Sequence, residues 1–240
     1  MPSPRFAAVC LMFACLAACG CGRFAARGLN AQGVRLFDQG QYEVAMQRFQ
    51  RAADNDPNSA DAYYNLASTY YRLGSTAHRQ DYLAQAESYY HRCLDKEPNH
   101  AECYRGLAIL LVEEDRSAAA FRLLQNWVNQ SPGMAEPKIE LARLYEEFGD
   151  RQSAKNYLLE ALAVDHTNTR VRNALGSLRE QMGEPTQALE NYQQSLAYNG
   201  QQPEVVARVA SLQARLSPGL QAPAVSGGTQ MATGGSIPLR

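Results

Sequence analysis

Apolar residues recur along most of the chain with the spacing of amphipathic helices, and the recurrence has a fixed period. The eleven residues from Ala60 to Tyr70 reappear in looser form from Ala101 and again from Ala135. Blocks aligned in this way begin at residues 26, 60, 101, 135, 169 and 203, so their starts lie 34 residues apart, except for one interval of 41. Because an apolar helical stripe must be buried against another helix, the pattern predicts a series of packed helices.

The 34-residue period, with small and large residues at set positions, resembles the tetratricopeptide repeat family. We number positions from the first residue of each block. The family has a large residue at position 4, Leu followed by Gly or Ala at positions 7 and 8, Gly at 15, Ala at 20 and an aromatic residue at 24. The matching residues include, block by block, Gly33, Gly40, Ala45 and Phe49; Tyr63, Leu66, Ala67 and Ala86; Tyr104, Leu107, Ala108 and Ala120; Leu141, Ala142, Gly149 and Ala154; and Leu175, Gly176, Gly183 and Ala188.

The resemblance implies an all-α fold, a right-handed superhelical α-solenoid of five helix-turn-helix repeats plus a C-terminal capping helix. The repeats would span residues 26–59, 60–100, 101–134, 135–168 and 169–202, with the capping helix at 203–217. Small residues at positions 8, 20 and 27 would let two helices approach closely. The second block is seven residues longer than the period, and we place the excess at Ser75–Asp81 as a longer loop, with Asp81 as the N-cap of the next helix.

The N-terminus carries a separate signal. Thirteen apolar or cysteine residues run from Phe6 to Ala18, fewer than the roughly 20 that a spanning helix needs, which is typical of the apolar core of a signal peptide. The run ends in Leu16-Ala17-Ala18, and these residues together with Cys19 resemble the bacterial lipobox. It implies a signal peptide at 1–18, lipid on Cys19 and a short tether at 19–25. Gly20 after the cysteine favours the outer membrane, facing the periplasm; the alternative is ordinary secretory cleavage and a non-lipidated secreted repeat protein.

Composition narrows the possible functions. Lys and Arg number 23 against 24 Asp and Glu, a net charge of −1, so there is no electrostatic footprint for nucleic acid. We find no phosphate loop, nucleophile elbow or His-Glu-x-x-His motif, and predict neither a catalytic residue nor a cofactor. Residues 218–240 combine prolines and glycines with a single charged side chain, Arg240, and are predicted to be a disordered tail.

Two cysteines lie in the predicted repeats, in the series His91-x-Cys93 and His100-x-x-Cys103. His91 and Cys93 would point about 200° apart on one helix, so a single ion could not bind both. A Cys93–Cys103 disulfide and two buried thiols both remain open. An accessory subunit with a metal or redox role through this pair is the alternative function.

The family also implies a concave face, formed by positions 2, 5, 9, 12 and 13 of each first helix. In the first three blocks, positions 9 and 12 are mostly apolar, and Arg, Asn and Tyr surround them, which suits a protein or peptide partner. The candidate groove residues are Arg27, Asn30, Phe37, Tyr64, Asn65, Tyr71, Arg72 and Arg105. The same residues could instead pack first helices on one another. Some members of the family bind a carboxylate through a clamp that has Lys at position 5 and Asn at position 9 of the first repeat. Here Asn30 and Val34 occupy those positions, so the sequence does not support a carboxylate clamp.

We therefore expect a non-enzymatic protein–protein interaction scaffold or adaptor, anchored in the bacterial envelope. Its expected role is in assembling a complex such as pilus, secretion or cell-wall machinery.

Overall fold

The computed structural model describes residues 22–217, which form helices and their connecting turns without a strand. Cys19, the predicted signal peptide and the predicted tail lie outside these residues. The helices are α1 (22–38), α2 (Tyr42–Asn55), α3 (Ala60–Ala77), α4 (Gln80–Lys96), α5 (Ala101–Glu113), α6 (Ser117–Gln130), α7 (Glu136–Glu147), α8 (Arg151–Val164), α9 (Thr169–Gln181), α10 (Pro185–Tyr198) and α11 (Pro203–Leu216). The predicted all-α repeat fold is confirmed. None of the described helices has the length and apolar character that crossing a bilayer requires.

The first compact unit extends to Val171. Each helix from α2 to α7 packs on the next one along the chain, and α5 also packs on both α3 and α7. The short connections make neighbouring helices antiparallel. Helices α1, α3, α5 and α7 therefore form one face of the unit, which we call the first-helix face.

The small residues of the repeat pattern lie at the closest helix contacts. Position 20 is alanine in all five repeats, and every one of these side chains is fully buried; they are Ala45, Ala86, Ala120, Ala154 and Ala188. At position 8, a Cβ added to Gly33 would lie 2.4 Å from the ring of Phe49, which occupies position 24 of the same repeat. The ring at position 24 thus fills the space that a larger side chain at position 8 would need, which explains why position 8 is small where position 24 is large.

Position 15 forms the turn between the two helices of a repeat. Gly40 and Gly149 adopt φ values of 75° and 79° there, a left-handed conformation that costs glycine little. Asp115 holds the same position in the third repeat with φ of 57°, and aspartate is among the residues that tolerate this region.

The second repeat contradicts the loop predicted at Ser75–Asp81. Helix α3 continues to Ala77, α4 begins at Gln80, and the left-handed turn moves from position 15 to His78, whose φ is 52°. The N-cap is Arg79, so the assignment of Asp81 as a cap is also wrong. The segment contains no glycine or proline to end a helix, so the additional residues lengthen both helices.

The second compact unit begins at Arg172. Its core joins α10 to α11 through Ala188, Tyr192, Val205 and Leu212. A Cβ on Gly176 would lie 2.5 Å from the Tyr192 ring, which repeats the arrangement of Gly33 and Phe49.

Candidate interaction face

Polar contacts connect successive odd-numbered helices across the first-helix face. Asn65 on α3 donates from its side-chain amide to Oδ1 of Asn30 on α1, at 2.9 Å. The hydroxyl of Tyr71 on α3 donates to Oε1 of Glu113 on α5, at 2.6 Å. Arg105 on α5 donates from Nε to Oε2 of Glu140 on α7, at 3.0 Å, and from Nη2 to Oε1. We call these three contacts the polar ladder.

The polar ladder follows one spacing. Asn30 and Asn65 are 35 residues apart, as are Arg105 and Glu140, while Tyr71 and Glu113 are 42 apart. The larger value is the same step with the seven additional residues of the second repeat. A first-helix residue therefore contacts the residue one position further along in the next repeat. Glu113 and Glu140 were not among the predicted groove residues, although this spacing identifies them from Tyr71 and Arg105.

Glu140 is the most buried charged group on the face, with 3% of its side chain exposed. Besides Arg105, it accepts a bond from Arg170 at 3.1 Å and lies 3.5 Å from Nε of Arg143. Three guanidinium groups thus surround one carboxylate, which compensates for its removal from water. The hydrogen bond to Glu140 raises the pKa of Arg105. Arg105 is therefore held by its own chain and is not free to bind a partner.

Tyr71 is also engaged within the chain. Burial raises the pKa of its hydroxyl, and the hydrogen bond to Glu113 adds to the effect. Tyr64 is half-buried, with its ring centroid 5.5 Å from that of His100. Phe37 packs edge-on against Tyr42 at 5.0 Å. These three aromatic residues thus contribute to packing within the chain.

Two predicted groove residues remain exposed, Arg27 on α1 and Arg72 on α3. Arg27 lines a surface pocket together with Asn30 and with the carboxylates of Asp56, Asp61 and Glu97. Val34 lies on the same helix as Arg27 and exposes 40% of its surface. The first-helix face thus exposes cationic and apolar side chains, while the residues of the polar ladder are already hydrogen-bonded within the chain.

The cysteines of the repeats meet at the junction of α4 and α5. Cys93 lies near the end of α4, Cys103 lies in the first turn of α5, and the two form a disulfide with a Cα–Cα distance of 6.5 Å. Both are fully buried. Of the alternatives that the sequence left open, the structure has the disulfide. His91 is exposed on α4 and takes no part in this junction.

Comparison with known families agrees with the repeat geometry. A TPR repeat family profile matches residues 33–74, and two tetratricopeptide repeat profiles match residues 67–100 and 111–178. Together they cover more than half of the chain. The chain belongs to the tetratricopeptide repeat family. Tetratricopeptide repeats are scaffolds for protein–protein interaction, and the polar ladder lies on the helices that would form their concave face.

Solved structures support the same fold. A thermophilic tetratricopeptide repeat protein of Thermus thermophilus, TTC0263, is 24% identical, with a TM-score of 0.57 over 79% of this chain and 99% of that one. PilF of Pseudomonas aeruginosa is 20% identical, with a TM-score of 0.53 over 82% of this chain and 94% of that one. No curated protein sequence matches the chain.

Proposed function

We propose that this chain is a non-enzymatic interaction scaffold that binds a protein or peptide partner on the first-helix face of its first three repeats. The observation that carries the proposal is the polar ladder. It fixes the odd-numbered helices relative to one another, so a partner meets a surface whose side chains are already ordered. Pre-ordering of this kind reduces the entropy that binding costs.

The exposed groups on this face suit a peptide or a partner helix. Val34, Ile109 and Val112 are partly exposed, and Arg27 on α1 and Arg72 on α3 are exposed. Apolar side chains can contribute contact area, and guanidinium groups can bind carboxylates or backbone carbonyls. In the fourth repeat the corresponding positions 9 and 12 are Arg143 and Glu146, which favours the first three repeats as the binding segment.

We further propose that the scaffold is a lipoprotein of the bacterial envelope, held at the outer membrane by lipid on Cys19 and facing the periplasm. The main support is Leu16-Ala17-Ala18-Cys19 at the end of the apolar run. The Cys93–Cys103 disulfide supports export independently, because structural disulfides persist mainly in oxidising compartments. Such a scaffold would assist the assembly of an envelope complex, for example pilus, secretion or cell-wall machinery.

Replacement of the lipobox cysteine tests the anchor. Cys19→Ala should yield an unprocessed precursor or a protein without acyl chains, as judged by mass spectrometry of the purified protein. Cys21→Ala is the matched control and should leave processing and acylation unchanged. An unmodified mature N-terminus at another residue of the wild-type protein would refute the lipoprotein proposal and favour the secreted alternative.

Crosslinking followed by pull-down from native membranes tests the scaffold. The partner captured by the wild-type chain should bind a purified Arg27→Glu/Arg72→Glu variant at least about tenfold more weakly, since charge reversal at an interface opposes binding. Arg122→Glu reverses the charge of an exposed arginine on α6, away from the first-helix face, and should bind like the wild type. Equal affinities for the three proteins would contradict binding on this face.

A further inference from the structure

The disulfide belongs to a larger cluster of metal-ligating groups. Cys93, His100 and Cys103 each offer one ligand atom, and these atoms all lie within 4.8 Å of one another. The three side chains are buried, with the sulfurs fully enclosed and His100 only 8% exposed. The group joins the last turn of α4 to the first turn of α5, and His100 borders the first-helix face through Tyr64.

The contacts of His100 orient it for metal binding. Its Nε2 lies 3.4 Å from Oδ1 of Asp61, so the tautomer with hydrogen on Nε2 can donate to that carboxylate. Histidines that bind metals commonly donate their second ring nitrogen to a carboxylate in this way. Nδ1 then carries the lone pair and accepts from the backbone N–H of Cys103 at 3.3 Å. That N–H also donates to the carbonyl oxygen of His100 at 3.2 Å, so it keeps an acceptor if Nδ1 binds a metal.

The donor set favours a soft monovalent ion. Two thiolates and one imidazole make three ligands, whereas structural zinc sites almost always have four. Thiolates favour copper(I), zinc and iron–sulfur clusters, and of these copper(I) is the ion that a set of three ligands suits; an enclosed site limits solvent access to it. Two metal–sulfur bonds of about 2.3 Å would hold the sulfurs roughly 3.5–4 Å apart. The Cα–Cα distance of 6.5 Å leaves room for that separation.

We propose that the reduced Cys93–Cys103 pair and His100 form a binding site for one copper(I) ion, with Asp61 as the positioning residue of the imidazole. A small dithiol reduces the disulfide, supplying two electrons and two protons and becoming a disulfide itself. Copper(I) then displaces the two thiol protons and bonds both sulfurs and Nδ1. The disulfide and the metal occupy the same sulfur atoms. A small disulfide that takes two electrons from the two thiolates and two protons from water, and so becomes a dithiol, therefore restores the Cys93–Cys103 bond and releases copper(I) unchanged.

Anaerobic copper(I) titration of the reduced protein, in competition with a chromophoric chelator, tests the proposal. The remaining cysteines, Cys10, Cys15, Cys19 and Cys21, are first replaced by serine in the otherwise full chain, so that only the pair supplies thiols. We expect one copper(I) per chain and its loss in both Cys93→Ser and Cys103→Ser. His100→Asn, which retains a residue suited to capping α5, should bind at least about tenfold more weakly, and Asp61→Asn about tenfold more weakly.

His91→Asn is the matched control, since this histidine is exposed two residues from Cys93 and should leave affinity unchanged. Circular dichroism follows helicity in each reduced protein. Absence of copper(I) binding overturns the proposal, whether the reduced chain keeps its helices or loses them. Binding that His100→Asn leaves unchanged also overturns it, because the site would then consist of the thiols alone.

Discussion

The second and fourth repeats, residues 60–100 and 135–168, share one helix-turn-helix plan. Both stack tyrosines across their two helices, but of the two only the fourth buries Lys and Glu side chains. The second contains seven tyrosines and the fourth two. In the second, the Tyr70 ring centroid lies 5.4 Å from both Tyr89 and Tyr82, so the rings connect the lengthened helices α3 and α4. In the fourth, Glu140 is buried among three arginines, and the ammonium group of the buried Lys138 donates to the carbonyl oxygen of Pro132 at 2.6 Å.

The difference shows how the repeat plan tolerates unlike cores. Aromatic pairs contribute about 0.5–1.5 kcal/mol each beyond the area that they bury, and they need no neighbouring repeat to neutralise a charge. The fourth repeat depends on its neighbours, because Arg105 comes from α5 and Arg170 from the start of α9. We therefore expect substitutions at the charged cluster to lower the free energy of unfolding more than substitutions at exposed arginines do. We also expect alkaline pH to destabilise the second repeat.

The largest expected effect is at the charged cluster. Arg105→Ala removes the bidentate partner of buried Glu140, and breaking such a pair costs about 3 kcal/mol, with Arg170 and Arg143 limiting the loss. Chemical denaturation should therefore show a free energy of unfolding lower by about this amount. Arg122→Ala on exposed α6 should change it by less than about 0.5 kcal/mol. Similar small changes in both variants would show that the fourth repeat does not depend on this pair.

Removal of the disulfide should have a nearly equal effect. Cys93→Ala/Cys103→Ala opens a loop of about ten residues, for which the chain-entropy relation gives about 3 kcal/mol. Hydrogen exchange should increase mainly at the junction of α4 and α5 and leave the fourth repeat protected. A reductant should destabilise the wild type but not the double variant; an equal response of both proteins would contradict the assignment.

The shared plan predicts equal penalties at position 20. Ala154→Leu and Ala86→Leu each force a larger side chain into a fully buried helix contact, at a cost of about 1–3 kcal/mol. Gln152→Leu, at an exposed position of the same helix as Ala154, should shift the melting temperature little. If only one of the two alanine-to-leucine substitutions lowers stability, the second and fourth repeats do not share one packing register.

Alkaline pH should reveal the tyrosine core of the second repeat. Burial raises the pKa of Tyr90 to about 12 from an ordinary value of 10. A raised folded-state pKa means that the stabilisation is complete below pH 10 and is lost as pH rises toward 12. At pH 11 the loss from this residue is about 1.4 kcal/mol. Tyr90→Phe should be close to wild type at neutral pH and more stable than wild type, by about this amount, at pH 11.

Failure of the phenylalanine variant to gain relative stability at pH 11 would mean that the Tyr90 hydroxyl is not held in its neutral form by burial. The comparison uses denaturation midpoints of both proteins at pH 7 and pH 11.

Much of the fold could be predicted from the sequence, because the residues that determine each repeat lie within that repeat. Alanine at position 20 and the glycines Gly40 and Gly149 act within a single repeat, so one sequence reveals them. The helices of the second repeat were predicted less well, because the sequence of Ser75–Asp81 is compatible with either a loop or a helix. Contacts between the two helices, such as that of Tyr70 with Tyr82, determine which of the two forms. The Arg105–Glu140 pair was missed because residues 35 apart meet only after repeats stack.

The central claim, that a protein partner binds the first-helix face of the first three repeats, is tested most directly by site-specific photo-crosslinking. A photoreactive residue is placed at Arg72 on α3 or at Arg122 on α6, both of which are exposed in the structure. In cells making the full chain, we predict a discrete adduct of chain and partner from position 72 and none from position 122. An adduct of similar or greater yield from position 122 would contradict the claim.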